Sequence, residues 1–270
     1  DKNNHDIVFD EDERNNIIAK TKEYIKKDLA LLQEMDFQES LGIGFMHSRG
    51  EMHRLFGKRI SGFSIFKDSA NQFNQIIVIY DKQYCPLNKE LMKIIVLSKW
   101  GEQKDEQLTW LIEGLSSYVT PEADSCDGLN LEEKYVYLMQ NEKGIDLKQF
   151  PKGHITTDCR VALIQSTYIV KYLLDNYGIE KLKQLWQNGM NNFERVFSSS
   201  FRDVVITINN GLSQESDRQI QIDWQTFTKD CIDPQPDGWL PAYNYSSKGT
   251  EIDKMVTKEI SNLKFTLDSS

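Results

Sequence analysis

Trp110-Leu111-Ile112-Glu113-Gly114-Leu115-Ser116-Ser117-Tyr118-Val119 places one glutamate and one glycine inside a largely apolar run that ends just before Pro121. Proline has no backbone N–H and clashes with the preceding turn. The pattern therefore predicts a helix over Glu106 to Val119 that stops there. Upstream, a second helix is expected from Leu87, with Asn88 as its cap and Leu87 and Met92 as a hydrophobic staple. Leu91, Ile94 and Ile95 would form its buried face, and Trp100-Gly101 its end.

Working outward to the N-terminus, Leu41 to Met46, Gly62 to Phe66 and Gln75 to Tyr80 read as strands, with Ser48 to Phe56 a short helix. Ile17, Ile18, Tyr24, Ile25, Leu31, Leu32 and Met35 follow helical spacing after the acidic run Asp10 to Glu13, where carboxylates favour a helix start. Ile7 to Phe9 reads as a short strand. Towards the C-terminus, Leu131 to Gln140, Cys159 to Tyr177 and Glu180 to Asn188 are helical, and Gly178 and Gly189 mark two ends. Beyond Pro234 the chain turns polar, with a last helix expected over Thr250 to Leu263. Three parts follow: 1–100 with a small sheet and helices, 101–232 helical, and 233–270 an extension.

Composition narrows the function. Lys plus Arg total 32 against 41 for Asp plus Glu, a net charge of −9. No basic stripe interleaves with aromatics, so nucleic acid is not an expected partner. The apolar stretch around Met92 to Leu97, like the others in the chain, is far below the roughly 20 residues of a membrane span. Cys85, Cys126, Cys159 and Cys231 are widely separated, with no CxxC and no histidine at ligand spacing, which excludes zinc ribbons and fingers. They suit either four buried thiols or two disulfides; Cys126–Cys159 is the preferred bridge if the protein is exported. The polar start without Met fits the loss of a signal peptide and equally fits a domain cut.

The segment from Trp110 to Val119 resembles the WLxEGLAEYV segment of peptidase MA-like proteins, which are gluzincin zinc metallopeptidases. Residues 167–186, with the sequence TYIVKYLLDNYGIEKLKQLW, resemble that family's YLxxxYGxxxLxxL helix pair, and Asp223-Trp224 its closing acidic-Trp segment. The likeness spans most of residues 7–232. It implies an α+β, zincin-like fold with a cleft between the halves. It also places Glu113 at the third zinc ligand, downstream of an HExxH helix.

Here that helix reads Lys89-Glu90-Leu91-Met92-Lys93. On the resemblance, Lys89 and Lys93 stand at the two histidine positions and Glu90 at the general base. Ser117 stands where the family has a second carboxylate that orients a ligand histidine. Residues at i and i+4 share a helix face, so two imidazoles there can grip one ion. An ammonium has donors but no lone pair, and its proton is held up to about pH 10.4. The expectation is therefore no metal and no cofactor, with Lys89, Glu90, Lys93, Glu113 and Ser117 as positions of a relic site.

On this reading Lys93 would lie near Glu113, and Lys89→His with Lys93→His would restore two ligands without loss to the fold. The plain alternative for Lys89, Glu90 and Lys93 is a solvated charged turn. His5, His47 and His53 read as surface or loop residues; His154 and Asp158, at i and i+4, could join Glu113 in an unconventional metal site. Trp110, Tyr118, Tyr168, Tyr172 and Trp186 read as core. The function expected is a non-catalytic, exported envelope or extracellular domain that binds a peptide or protein. The strand Gly62 to Phe66 could receive an extended peptide. The competing readings are a hydrolase using other residues, with a Ser or Cys nucleophile, and an unrelated envelope binding protein.

Overall fold

Asp10 opens the first helix, α1 (Glu11–Leu32), its side chain accepting a hydrogen bond from the Glu13 amide at 2.8 Å. Glu11, Asp12 and Glu13 thus form the first turn, where their charges meet the positive end of the helix; the acidic run belongs to the helix and does not precede it. The helix closes at Gln33, in the left-handed region at φ 56°, with its amide bonded back to Ala30 and Leu29. Met35, expected on the buried face, lies beyond that stop and is fully exposed.

The computed structural model describes residues 9–57, 60–66, 74–80, 85–120, 128–145, 159–215, 220–227 and 263–265. The chain forms two compact units, Asp1–Ile95 with Ala242–Ser270, and Val96–Pro241. It is mixed α/β and rich in helix, with a small sheet in the first unit.

In the first unit α1 is followed by β1 (Leu41–Met46), α2 (Arg49–Phe56), β2 (Gly62–Ile65), β3 (Asn74–Ile79) and α3 (Cys85–Trp100), whose last five residues belong to the second unit. A short strand near the C-terminus, β4 (Leu263–Phe265), completes the sheet in the order β2-β3-β1-β4. β1 and β3 are parallel; β2 runs antiparallel to β3, and β4 antiparallel to β1. Leu263 had been expected to end a helix and instead begins a strand; residues 250–262 lie outside the described residues. Phe9 is not in a strand, and Ile7 and Val8 are also outside them.

Side chains alternate across a strand, which gives the sheet two different faces. Met46, Phe63, Ile77 and Ile79 form one face and pack with Met52 of α2. On the other, Phe45 meets Phe9 edge-on at 5.2 Å between ring centroids, and Tyr80 donates to Glu13 Oε1 at 2.8 Å, tying down the start of α1. Helix α3 begins at Cys85, so Asn88 is a buried interior residue and not the cap. Pro86 sits in the first turn, where its missing N–H has no helical partner to lose.

Asp28 is an anomaly on the buried face of α1, beside Ile25, Leu29 and Leu32. It is 1% exposed, and neither carboxyl oxygen has a hydrogen-bond partner among the described residues. Burial pushes its carboxyl from an ordinary 3.8 up to about 8, with the Lys27 charge pulling the other way. The folded chain therefore keeps a proton that the unfolded chain releases near pH 4, so stability falls between about pH 4 and pH 8 and levels off above. Asp28→Asn should be close to wild type below that window and increasingly more stable than wild type through it, by at most about 1.4 kcal/mol per pH unit. Urea unfolding at about pH 4, 6 and 8 measures this; parallel pH curves for the two proteins would contradict it.

In the second unit, a 3-10 turn (Glu106–Leu108) leads into α4 (Thr109–Tyr118). α5 (Leu131–Gln140), α6 (Cys159–Tyr177), α7 (Ile179–Asn188), α8 (Phe193–Phe197), α9 (Phe201–Glu215) and α10 (Trp224–Phe227) follow. Asn130 and Glu133 form a reciprocal capping box at α5. α4 and α6 form the centre, and they cross closely because Gly114 has no side chain. A Cβ there would lie 2.6 Å from the Ser166 carbonyl oxygen. The turn after α3 is fastened to α7: Trp186 Nε1 donates to the Gly101 carbonyl at 2.9 Å, and its ring meets Trp100 edge-on. Asp105 accepts from the amides of Gln107 at 3.0 Å and Met190 at 2.7 Å, closing the same knot. Trp110 and Trp186 are core residues, as expected, while Tyr118, Tyr168 and Tyr172 are half-buried.

Candidate functional site

The two small residues of β2 decide where α3 lies. Gly62 and Ser64 sit two apart on a strand, hence on one face. A Cβ on Gly62 would come within 2.7 Å of Val78 Cγ1 and 3.2 Å of Glu90 Cγ, so the glycine leaves room on this face for the Glu90 side chain. Glu90 thus lies against the strand. Ser64 Oγ donates to Glu90 Oε2 at 2.7 Å and lies 3.2 Å from the Glu90 carbonyl oxygen. One turn along α3, Lys93 Nζ donates to Glu90 Oε1 at 3.1 Å.

Both ionised side chains are 4% exposed. The solvated-turn reading of Glu90 and Lys93 is therefore overturned: they form a buried ion pair, completed by a hydroxyl. Burying a charge is costly unless it is paired and hydrogen-bonded, and here each Glu90 oxygen has one donor. Lys89 is half-buried on the same helix.

Of the other relic-site positions, Glu113 and Ser117 lie in the second unit, both buried on α4. Ser116 Oγ donates to the Glu113 carbonyl at 3.0 Å, and Thr120 Oγ1 to the Ser116 carbonyl at 3.0 Å, so these hydroxyls are used within the helix. Ser117 Oγ is buried without a hydrogen-bond partner among the described residues.

His47 and His53 are exposed, as the sequence suggested. His5, His154, Asp158, Cys126 and Cys231 lie outside the described residues, and so does the expected Cys126–Cys159 pairing; Cys85 and Cys159 begin α3 and α6. Among the described residues no group of three or more His, Cys, Asp or Glu could hold a metal ion. Also among them, no helix is long and apolar enough to cross a membrane.

Zinc does not fit the donors on α3. Lys93 presents an ammonium with no lone pair, and Glu90 is engaged at both oxygens. A general base needs access to water, and the Glu90 side chain is 4% exposed, with a donor on each oxygen. This carboxylate instead fastens a helix to a strand. Ser64 was missed from sequence; its alternation with Gly62, two small residues on one strand face, was the available signal. Comparison of the chain with protein-family models, with curated proteins and with solved structures gives no match in any of the three.

Proposed function

We propose that this chain is a non-catalytic relative of the peptidase MA-like zinc metallopeptidases, zincin-like in fold, exported, and serving to bind a peptide or protein. The observation that carries the non-catalytic part is the clamp on Glu90, buried, with Ser64 on one oxygen and Lys93 on the other. The family part rests on the likeness of Trp110–Val119 and of residues 167–186. Binding is supported by β2, which is an edge strand antiparallel to its neighbour and so a place where an extended segment could add.

Elemental analysis of the purified full chain, together with a peptidase assay in added zinc, tests this. The expected result is no stoichiometric zinc and no turnover above a heat-treated control. About one zinc per chain at a catalytic-type site, or zinc-dependent cleavage lost in Glu90→Gln, would overturn the proposal.

A further inference from the structure

We infer that Asn188-Gly189 is a self-modification site, where the Gly189 nitrogen closes on the Asn188 side chain and converts it to aspartate and isoaspartate, with Arg195 stabilising the charge that develops. This does not rest on the peptidase resemblance. The chain has two Asn-Gly pairs, Asn188-Gly189 and Asn210-Gly211. Glycine hinders such an attack least, because it carries no side chain. The fold treats the two pairs differently. Gly211 lies inside α9, where each amide is bonded four residues back, and neighbouring turns must open before its nitrogen is released. Gly189 lies just past the end of α7. Its backbone has already left the helix, at φ 84° and ψ 164°, and its amide makes the final helical bond, to the Leu185 carbonyl at 2.9 Å. Bonds at a helix end open most readily.

The groups around Asn188 suit the chemistry. Its side chain is exposed; Nδ2 donates to the Gln184 carbonyl at 2.7 Å, and Oδ1 accepts from Arg195 Nη2 at 3.1 Å. When the Gly189 nitrogen adds to Asn188 Cγ, negative charge develops on Oδ1, where the guanidinium already stands. The new C–N bond forms as the glycine proton passes to solvent. The Cγ–Nδ2 bond then breaks, its nitrogen takes up a proton and leaves as ammonia, and a five-membered imide remains. Water opens either carbonyl of the imide, giving aspartate or isoaspartate. Isoaspartate lengthens the main chain by one methylene just where it is tied down. The Met190 amide donates to Asp105 Oδ2 at 2.7 Å, and the Asn192 amide to the Gly189 carbonyl at 3.0 Å. The modification therefore loosens the knot at Asp105.

Peptide mapping by mass spectrometry tests this on the full chain, incubated at mildly alkaline pH either folded or unfolded in guanidinium. In the folded chain, the amide-to-acid mass gain should accumulate at residue 188 at least about tenfold faster than at residue 210. In the unfolded chain the two should react alike. Arg195→Ala, a change at an exposed residue, should slow the reaction at 188 about threefold or more in the folded chain and leave the unfolded chain unaffected. The Met190 amide should exchange hydrogen faster in the isoaspartyl chain than in Asn188→Gln, which lacks the five-membered route. Absence of modification at 188 in the folded chain, or equal folded rates at 188 and 210, would overturn the inference. So would an unchanged or faster reaction at 188 in folded Arg195→Ala.

Discussion

Lys93→Met is expected to destabilise the protein by about 3–5 kcal/mol, the usual cost of breaking a buried ion pair from one side. The ammonium removed lies 3.1 Å from Glu90 Oε1, and both side chains are 4% exposed. Methionine keeps most of the volume, so a packing defect contributes little. What remains is a carboxylate whose charge is met by the Ser64 hydroxyl and not by a cation. Glu90→Gln in the Lys93→Met background removes that charge while keeping an acceptor for Ser64. The double variant should therefore recover most of the loss, because a buried pair replaced as a whole is often close to neutral. Denaturant unfolding of wild type, Lys93→Met, Glu90→Gln and the double variant gives the coupling energy. A single-variant loss below about 1 kcal/mol would place the pair with solvated surface pairs and remove the main support for the non-catalytic reading. The same clamp corrects an expectation from sequence. Lys89→His with Lys93→His cannot leave the fold untouched, since it takes the buried cation from Glu90.

Gly114→Ala should cost about 2–3 kcal/mol even though alanine favours a helix over glycine by about 1 kcal/mol. The added Cβ would lie 2.6 Å and 2.7 Å from the carbonyl oxygen and carbon of Ser166, and 2.8 Å from Val170 Cγ2. The first two are backbone atoms in the middle of α6, so relief requires the helices to separate and not a side chain to turn. Gly211, on α9, supplies the contrast: a Cβ there meets nothing within 4 Å. Gly211→Ala should stabilise by about 0.5–1 kcal/mol through helix propensity alone. Thermal and urea unfolding of the two variants check the opposite signs. A stabilising Gly114→Ala would mean that α4 and α6 do not cross at that glycine.

Much of the element order was legible because its signals are local. The apolar spacing in Leu91-Met92-Lys93-Ile94-Ile95 marks a helix, and the β-branched run in residues 75–79 marks a strand, whatever else surrounds them. The same locality explains errors at the ends. Asn88 has the chemistry of a cap, but the chain already turns helical at Cys85. Met35 continues a spacing that a left-handed Gln33 has already ended. Residues 193–215, where Phe193, Phe197 and Phe201 recur at intervals of four, form α8 and α9, which were not anticipated.

The sequence by itself determined most of the helices and strands between residues 11 and 188, and that lysines occupy the two positions where the resemblance calls for zinc-binding imidazoles. Only the tertiary structure decided that β2 runs antiparallel at an edge, that residues 263–265 return to the sheet, and that Glu90 is clamped between Ser64 and Lys93. Helical periodicity and donor chemistry are properties of a few neighbouring residues. Whether a charge is solvated or buried depends on what the fold brings against it: Ser64 stands 26 positions away from Glu90 in the chain, and no local pattern around either residue encodes that approach.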